Sequence, residues 1–223
     1  MIAVLGNLTR WMERVRSRLV TESAFPGSAE YWRERYAQGK TSGAGSYNHL
    51  AAFKAEILNQ LVQEQRIQSV IEFGCGDGNQ LTLASYPRYL GFDVSAEALA
   101  RCRSLFAGDT TKQFALLEEI PEATAELTLS LDVVYHLVED PVFQQYMERL
   151  FDSAERVVVV YSSNYESGSQ DRAQHVRHRE FTRWVAVHRP AWKLTQHIPN
   201  RYPFQGDNKQ GSHADFFVYE RAA

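Results

Sequence analysis

Cysteine is scarce in this chain: its 223 residues include two, Cys75 and Cys102. Cys75 falls in a glycine-rich loop and Cys102 in a probable helix. This use of cysteine is typical of a reduced, intracellular protein and not of a disulfide framework. The length fits one α/β domain with additions, and an apolar content of 44% is enough for a sizeable core.

Long apolar runs and a strong excess of one charge are also missing. No stretch of 18 apolar residues is present, so we expect no transmembrane segment. The N-terminus lacks the basic, apolar and small-residue order of a signal peptide. A net charge of −3 gives no electrostatic reason to expect nucleic acid as a partner. Together these absences predict a cytoplasmic protein.

The most informative stretch is residues 69–78, with the sequence SVIEFGCGDG. Its apolar start is typical of a strand that is buried on both faces. Glycines then occupy positions 74, 76 and 78, where a backbone without Cβ atoms allows positive φ angles and a close approach to a ligand. A strand that ends in such a turn before a helix presents backbone N–H groups to whatever binds there.

The spacing of the glycines narrows the choice of ligand. A dinucleotide fingerprint would need a glycine at position 79, which is Asn79, and the loop has no phosphate-binding lysine. A second short strand, residues 89–95, contains Asp93, 19 residues after Gly74. An acid at the end of the adjacent strand is placed to accept both hydroxyls of a ribose. The sequence therefore indicates a nucleoside ligand.

Residues 72–78 together with Asp93 resemble the class I S-adenosylmethionine-dependent methyltransferases. The resemblance implies that the glycine loop supports the methionine end of the cofactor, that Asp93 binds the ribose, and that Glu72 orders the loop and the cofactor ammonium. It also places residues after the third strand beside the adenine. The alternative is a glycine-rich turn in another Rossmann-like protein. The cofactor-binding residues expected from the resemblance are Glu72, Gly74, Cys75, Gly76, Gly78, Asp93, Leu117 and Asp132.

Strands alternate with helices along the chain and a hairpin closes it. We therefore predict an α/β, Rossmann-like, seven-stranded, mostly parallel sheet with one antiparallel strand near the edge, which is the class I methyltransferase fold, preceded by N-terminal helices. The later strands are expected at residues 112–117, 127–132, 156–161, 192–198 and 215–220.

Two units are expected: residues 1–27 as an amphipathic helix with a linker, and residues 28–223 as the methyltransferase domain. Apolar residues in the first 20 positions recur at helical spacing, with arginines between them. This helix would pack on the domain or on a second copy of the chain, giving a homodimer. A weak membrane-surface anchor is the other interpretation.

Methyl transfer from a sulfonium needs mainly correct positioning, but a hydroxyl acceptor must also lose a proton. His136 follows the fourth strand and is our candidate general base; the alternative is a histidine that only shapes the pocket. Asp132 is expected to order the cofactor side or a helix start. Residues 132–135 are not the Asn-Pro-Pro-Tyr of many amino-group methyltransferases, which disfavours amine acceptors. No ligand spacing predicts a metal site.

Basic residues follow the fifth strand: Arg172, His175, Arg177, His178, Arg179 and Arg183. They would hold an anionic acceptor through guanidinium groups, or else form a solvated surface. Residues 41–47 are either a lid that adds the ring and hydroxyl of Tyr47, or a flexible connector. The expected substrate-binding residues are Tyr47, Asn164, His175, Arg177, His178, Arg201 and Tyr202.

Three segments, residues 43–47, 131–137 and 175–179, resemble a subgroup of small bacterial methyltransferases that often accompany surface-polysaccharide synthesis. The resemblance implies a sugar hydroxyl, or a phosphate on a glycan, as the acceptor. We therefore expect O-methylation of a small or glycan-linked anionic acceptor. The alternatives are N- or C-methylation of a small metabolite, or a cofactor-binding interaction protein that no longer transfers a methyl group.

Overall fold

The computed structural model describes residues 25–119, 123–168 and 173–222. The helix predicted for residues 1–20 and the candidate Arg172 lie outside these ranges. The helices are α1 (Ser28–Ala37), α2 (Asn48–Glu64), α3 (Ala96–Leu105), α4 (Asp140–Asp152) and α5 (Phe181–His188). The strands are β1 (Val70–Phe73), β2 (Tyr89–Asp93), β3 (Lys112–Leu116), β4 (Ala125–Leu131), β5 (Ala154–Ser162), β6 (Trp192–Ile198) and β7 (Asp215–Arg221).

The seven strands form one sheet in the order β3-β2-β1-β4-β5-β7-β6. Strands β1 to β5 are parallel to one another, whereas β7 runs antiparallel to both β5 and β6. The predicted mostly parallel sheet with one antiparallel strand is therefore confirmed. No helix within the described residues is long and apolar enough to cross a bilayer.

Helices cover both faces of the sheet, and strand β5 shows why. Its side chains alternate between two apolar clusters: Val157, Val159 and Tyr161 face one, Val158 and Val160 the other. The first cluster includes apolar residues of α2 and α3, and the second includes those of α4 and α5. A strand buried on both faces reads as a continuous apolar run, as the four consecutive valines do.

The strand order reverses between β1 and β4, because β1 leads to β2 on one side while β4 leads to β5 on the other. Open α/β sheets bind ligands outside the carboxyl ends of their strands at such a point. Helix α1 and residues 42–46 line the cavities at this edge of the sheet. We therefore expect the candidate site residues to lie at this edge of the sheet.

Candidate active site

The glycine loop after β1 has the conformation that its sequence requires. Gly74 has φ of 85° and Gly76 has φ of 59°, both in the left-handed region that favours glycine. A Cβ atom at either position would collide, with Val133 in the first case and with Ser42 and Tyr36 in the second. The absence of side chains lets β4 and the segment 41–47 approach this loop closely.

Asp93 closes the glycine loop from the adjacent strand. Its Oδ2 accepts a hydrogen bond of 2.9 Å from the backbone N–H of Gly76, and its Oδ1 accepts one of 3.0 Å from that of Ser95. Burial raises the pKa of Asp93 to about 6, although these backbone donors act in the opposite direction. Each carboxyl oxygen keeps a lone pair, so the group has capacity for two further donors.

Glu72 is a second buried acid at this edge. Its Oε2 accepts a hydrogen bond of 2.7 Å from the hydroxyl of Tyr89. Burial raises the pKa of Glu72 to about 7, while the Tyr89 hydroxyl and the positive charge of Lys54 lower it. A bound cation would favour the ionised carboxylate, so Glu72 suits a ligand that carries a positive charge.

The cofactor cavity, as we call the first cavity here, lies between the glycine loop, α1 and the ends of β2 and β4. Seven of the eight cofactor residues predicted from the sequence line it: Glu72, Gly74, Cys75, Gly76, Asp93, Leu117 and Asp132. Gly78 does not line it and instead lies against Cys102 of α3. The sequence analysis missed further lining residues from distant segments, among them Trp32, Tyr36, Lys54 and Tyr146.

A buried ion pair forms part of the cavity wall. Lys54 of α2 is 1% exposed, and its Nζ lies 2.6 Å from Oδ2 of Asp132. The Tyr135 hydroxyl donates to Oδ1 of Asp132 at 2.8 Å. Asp132 has φ of 59°, a conformation that aspartate and asparagine tolerate better than most residues. A lysine between Leu50 and Leu58 on the buried face of α2 was the sequence signal for such a pair.

His136 follows Asp132 in the chain and lines both the cofactor cavity and a second, neighbouring cavity. Its Nδ1 is 2.9 Å from the carbonyl oxygen of His175. Because a carbonyl can only accept, Nδ1 carries the proton and Nε2 carries the lone pair. Burial is the main cause that lowers the pKa of His136 to about 4, so the imidazole is neutral at pH 7.

The second cavity has a volume of about 550 Å³ and lies between α1, residues 42–46 and the loops that follow β4, β5 and β6. Planar rings dominate part of its wall. Tyr31 stacks on His175 at 4.4 Å between ring centroids, and His175 stacks on His136 at 5.5 Å. The far wall includes Phe204, His213 and His178. We call this the acceptor cavity, because it shares His136 and Asp132 with the cofactor cavity.

Comparison with known proteins agrees with this geometry. Residues 71–159 match the family model described as a methyltransferase domain. The matched residues include the glycine loop, Asp93 and His136, and the match supports an S-adenosylmethionine-dependent methyltransferase. No curated protein matches the methyltransferase closely enough to count as a relative.

Several solved structures share the class I methyltransferase fold. The N-methyltransferase NodS from Bradyrhizobium japonicum, in complex with S-adenosyl-l-homocysteine, has a TM-score of 0.68 and 15% identity over 87% of this chain and 98% of that chain. The magnesium protoporphyrin IX methyltransferase ChlM from Synechocystis PCC 6803, with S-adenosylmethionine bound, has a TM-score of 0.64 and 14% identity over 91% and 100%. A putative O-methyltransferase from Klebsiella pneumoniae has a TM-score of 0.56 and 16% identity over 95% and 96%.

The methyltransferase brings together only part of the predicted substrate-binding set. His175 and His178 line the acceptor cavity, as does the candidate base His136. The structure corrects the expectation that Arg177 faces this cavity. Its Nη1 contacts Oδ1 of Asp140 at 3.0 Å and the carbonyl of Val138 at 3.1 Å, outside the cavity. Arg179 shares the same two partners and is buried.

The other predicted substrate residues serve as structural anchors. Arg201 forms two hydrogen bonds to the carboxylate of Glu56, at 2.8 and 2.7 Å. Asn164 accepts from the backbone and side chain of Thr182 at the start of α5. Tyr202 packs edge-on against His49 and Phe53. None of the three lines either cavity, because each is held by a partner elsewhere.

Tyr47 lies on the glycine-loop side of the segment that contains it. Its hydroxyl donates to Oδ2 of Asp77 at 2.8 Å, and the same oxygen accepts from the backbone N–H of Ser42 at 2.9 Å. Asn79 adds a bond of 2.7 Å to the carbonyl of Ser46. Residues 41–47 are therefore hydrogen-bonded to the glycine loop. Tyr47 contributes one of these bonds and does not line the acceptor cavity.

No group of three or more His, Cys, Asp or Glu side chains that could hold a metal ion occurs within residues 25–119, 123–168 and 173–222. Both cysteines are buried and free.

Proposed function

We propose that the methyltransferase transfers a methyl group to a hydroxyl oxygen of a small or glycan-linked acceptor that carries an anionic group. The observation that supports this is the position of His136, a neutral imidazole in the wall that separates the cofactor cavity from the acceptor cavity. An acceptor hydroxyl held there would lie next to a base and next to the cofactor. Base assistance is needed for a hydroxyl.

The residues of the cofactor cavity fit S-adenosylmethionine. The glycine loop leaves space that a Cβ atom would fill, Asp93 has acceptor capacity for ribose hydroxyls, and Glu72 suits a positively charged group. Leu117 provides apolar surface beyond β3. When bound, the cofactor supplies an electrophilic methyl group on a positively charged sulfur.

His136 would act as the base through Nε2. The carbonyl of His175 keeps the proton on Nδ1 and fixes the plane of the ring. Nε2 makes no hydrogen bond to any residue that the structure describes, so its lone pair is available to an acceptor hydroxyl. The proton would pass from the hydroxyl to Nε2 as the oxygen becomes the nucleophile, and afterwards to solvent. Since burial keeps the pKa of His136 low, the base is already neutral over the physiological range.

An oxygen acceptor is favoured over nitrogen by the sequence after β4 and by this base, not by the fold. Proteins of the same fold are described as an N-methyltransferase and as a putative O-methyltransferase. The link to a surface glycan, a cytoplasmic location and a homodimer through residues 1–27 stay part of the proposal. They rest on resemblance, on cysteine use and on helical spacing in the sequence.

The test is a transfer assay with methyl-labelled S-adenosylmethionine and a panel of sugars and phosphorylated sugars, with mass spectrometry to locate the methyl group. We expect an O-methylated product that His136→Ala forms much more slowly. A methyl group on nitrogen or carbon would replace the proposal by its first alternative. Binding of S-adenosylhomocysteine without transfer to any member of the panel would favour a silent cofactor-binding protein.

A further inference from the structure

The acceptor cavity contains a cation that the sequence analysis did not single out. Arg35 of α1 lines the cavity, half-buried, beside Gly43 and across from the histidines. Its Nε donates to the carbonyl of Thr41 at 2.7 Å, and its guanidinium carbon lies 5.6 Å from the centre of the Trp32 ring. These contacts hold Nε and the plane of the guanidinium in place. The two terminal nitrogens make no hydrogen bond to the residues that the structure describes.

The charge of Arg35 is not neutralised within the cavity. Asp132 is the one carboxylate among the described residues of the cavity wall, and Lys54 and Tyr135 already bind it at 2.6 and 2.8 Å. Arg35 forms no ion pair with the described part of the chain. Its field reaches the neighbouring rings, because its charge contributes to the lowered pKa of both His136 and His175.

The surroundings of Arg35 differ from those of the arginines that the sequence analysis named as candidates for binding the acceptor. Arg177 and Arg179 contact Asp140, and Arg201 contacts Glu56, so each already has a carboxylate. A guanidinium that has free donors, is partly shielded from water and lies in a cavity attracts an anion more strongly than an exposed, paired one does. Among these four arginines, Arg35 is therefore the one that lines the acceptor cavity without a carboxylate partner among the described residues.

We propose that Arg35 is the subsite for the anionic group of the acceptor, and that the acceptor is a hydroxylated ring compound carrying a phosphate or a carboxylate. The ring would lie along the wall formed by Tyr31, His175 and His136, with its hydroxyl toward His136 and its anionic group toward Arg35. Planar side chains contact the faces of both sugar and aromatic rings, so a sugar phosphate and an aromatic acid share this chemistry. The inference rests on the proposed function only in taking the second cavity as the acceptor cavity.

The experiment is calorimetric titration of the full chain saturated with S-adenosylhomocysteine, so that no transfer is needed. Two matched pairs of probes are used: glucose 6-phosphate with glucose, and 3,4-dihydroxybenzoate with catechol. Within at least one pair we expect the anion to bind at least about tenfold more tightly than the neutral compound, because only the anion can form a hydrogen-bonded charge pair with Arg35. The responding pair identifies the source, sugar phosphate or aromatic acid.

Three variants assign the preference to its residue. Arg35→Gln should remove it, and Arg35→Lys should keep part of it, because lysine keeps the charge but not the planar fork. The matched control Arg177→Ala, an arginine outside the cavity, should bind like wild type. Unchanged affinity for S-adenosylhomocysteine in each variant shows that the site remains folded. Higher salt should weaken binding of the anion and leave the neutral probe unaffected.

Several results would overturn the inference. They are equal or undetectable binding of both members in both pairs, a preference that survives Arg35→Gln, or a preference that Arg177→Ala removes equally. The proposed function fails separately. Arg35-dependent binding without any O-methylated product would contradict O-methyl transfer alone, whereas O-methylation of a neutral acceptor that does not depend on Arg35 would contradict this inference alone.

Discussion

The two cavities at the carboxyl edge of the sheet are built in different ways. The cofactor cavity contains the glycine loop and the ends of two strands, where backbone groups and two acids lie, and residues of α1, α2 and α4 complete its lining. The acceptor cavity is formed by side chains from α1, from residues 42–46 and from three separate loops. The glycine loop and the acids of the cofactor cavity follow from local sequence, whereas the acceptor cavity depends throughout on how distant segments come together.

This difference explains which of the predicted residues line a cavity. Glycines at alternate positions after a strand have few structural uses, so their role follows from the sequence itself. An arginine side chain has many structural uses, and its role depends on whether a carboxylate lies within hydrogen-bond distance. Arg177 and Asp140 are 37 positions apart in the chain, yet they are in contact. We therefore expect substitutions in the acceptor cavity to affect turnover and substitutions in the cofactor cavity to affect cofactor binding.

The largest expected effect lies on the acceptor side. His136→Ala should lower kcat by about 10²–10⁴ because the acceptor hydroxyl loses its base. Calorimetry should show nearly unchanged affinity for S-adenosylhomocysteine. Because His136 has a pKa of about 4, kcat of the wild type should stay constant from neutral pH down to about 5 and fall below that. A loss of less than about tenfold would make His136 a structural residue.

The next largest effect concerns the ion pair between Lys54 and Asp132, whose carboxylate lines both cavities. Lys54→Met leaves the carboxylate of Asp132 without its cation, and removal of one partner from a buried pair costs about 3–5 kcal/mol of unfolding free energy. Urea denaturation measures this. Adding Asp132→Asn, which tolerates the positive φ, should restore part of the loss. If the single variant is as stable as wild type, the pair contributes nothing net.

On the cofactor side, Asp93→Ala should weaken S-adenosylhomocysteine binding about tenfold to several hundredfold. The variant loses a charged acceptor for ribose hydroxyls, and hydrogen bonds to charged groups contribute about 1.5–3 kcal/mol each. Titration calorimetry gives the dissociation constant. Asp152→Ala, which removes an exposed carboxylate on α4, is the control and should bind normally. An unchanged constant in a folded Asp93→Ala variant would exclude Asp93 from the site.

A smaller effect concerns pH. The pKa of Glu72 is about 7 in the folded chain against an ordinary value of 4.5, so the folded state holds more protons between these pH values. Stability of the ligand-free protein should therefore fall as pH rises from about 4.5 to 7, by up to about 3 kcal/mol from this group. Glu72→Gln should have a higher Tm than wild type at pH 8 and an equal Tm at pH 4.5. Parallel Tm curves against pH would contradict the assignment.

The fold was predictable because it depends on short-range patterns. The apolar run of β5, the turn after β1 and the acid at the end of β2 each carry their meaning within a few residues. The residues expected to bind the cofactor stay a prediction, but seven of them line one cavity, while Gly78 lies against Cys102 through a tertiary contact. The acceptor side was not predictable in this way, since Tyr47, Asn164 and Arg201 form hydrogen bonds with residues that lie 18 to 145 positions away in the chain. The sequence pattern identified the histidines but not the arginine that accompanies them.

The bonds from Asp77 and Asn79 to residues 42–47 also hold a segment that the two cavities share. Ser42 and Ser46 line both cavities, so a displacement of this one segment alters both sites together. A ligand that contacts Ser42 or Ser46 in one cavity therefore touches a segment that also shapes the other cavity.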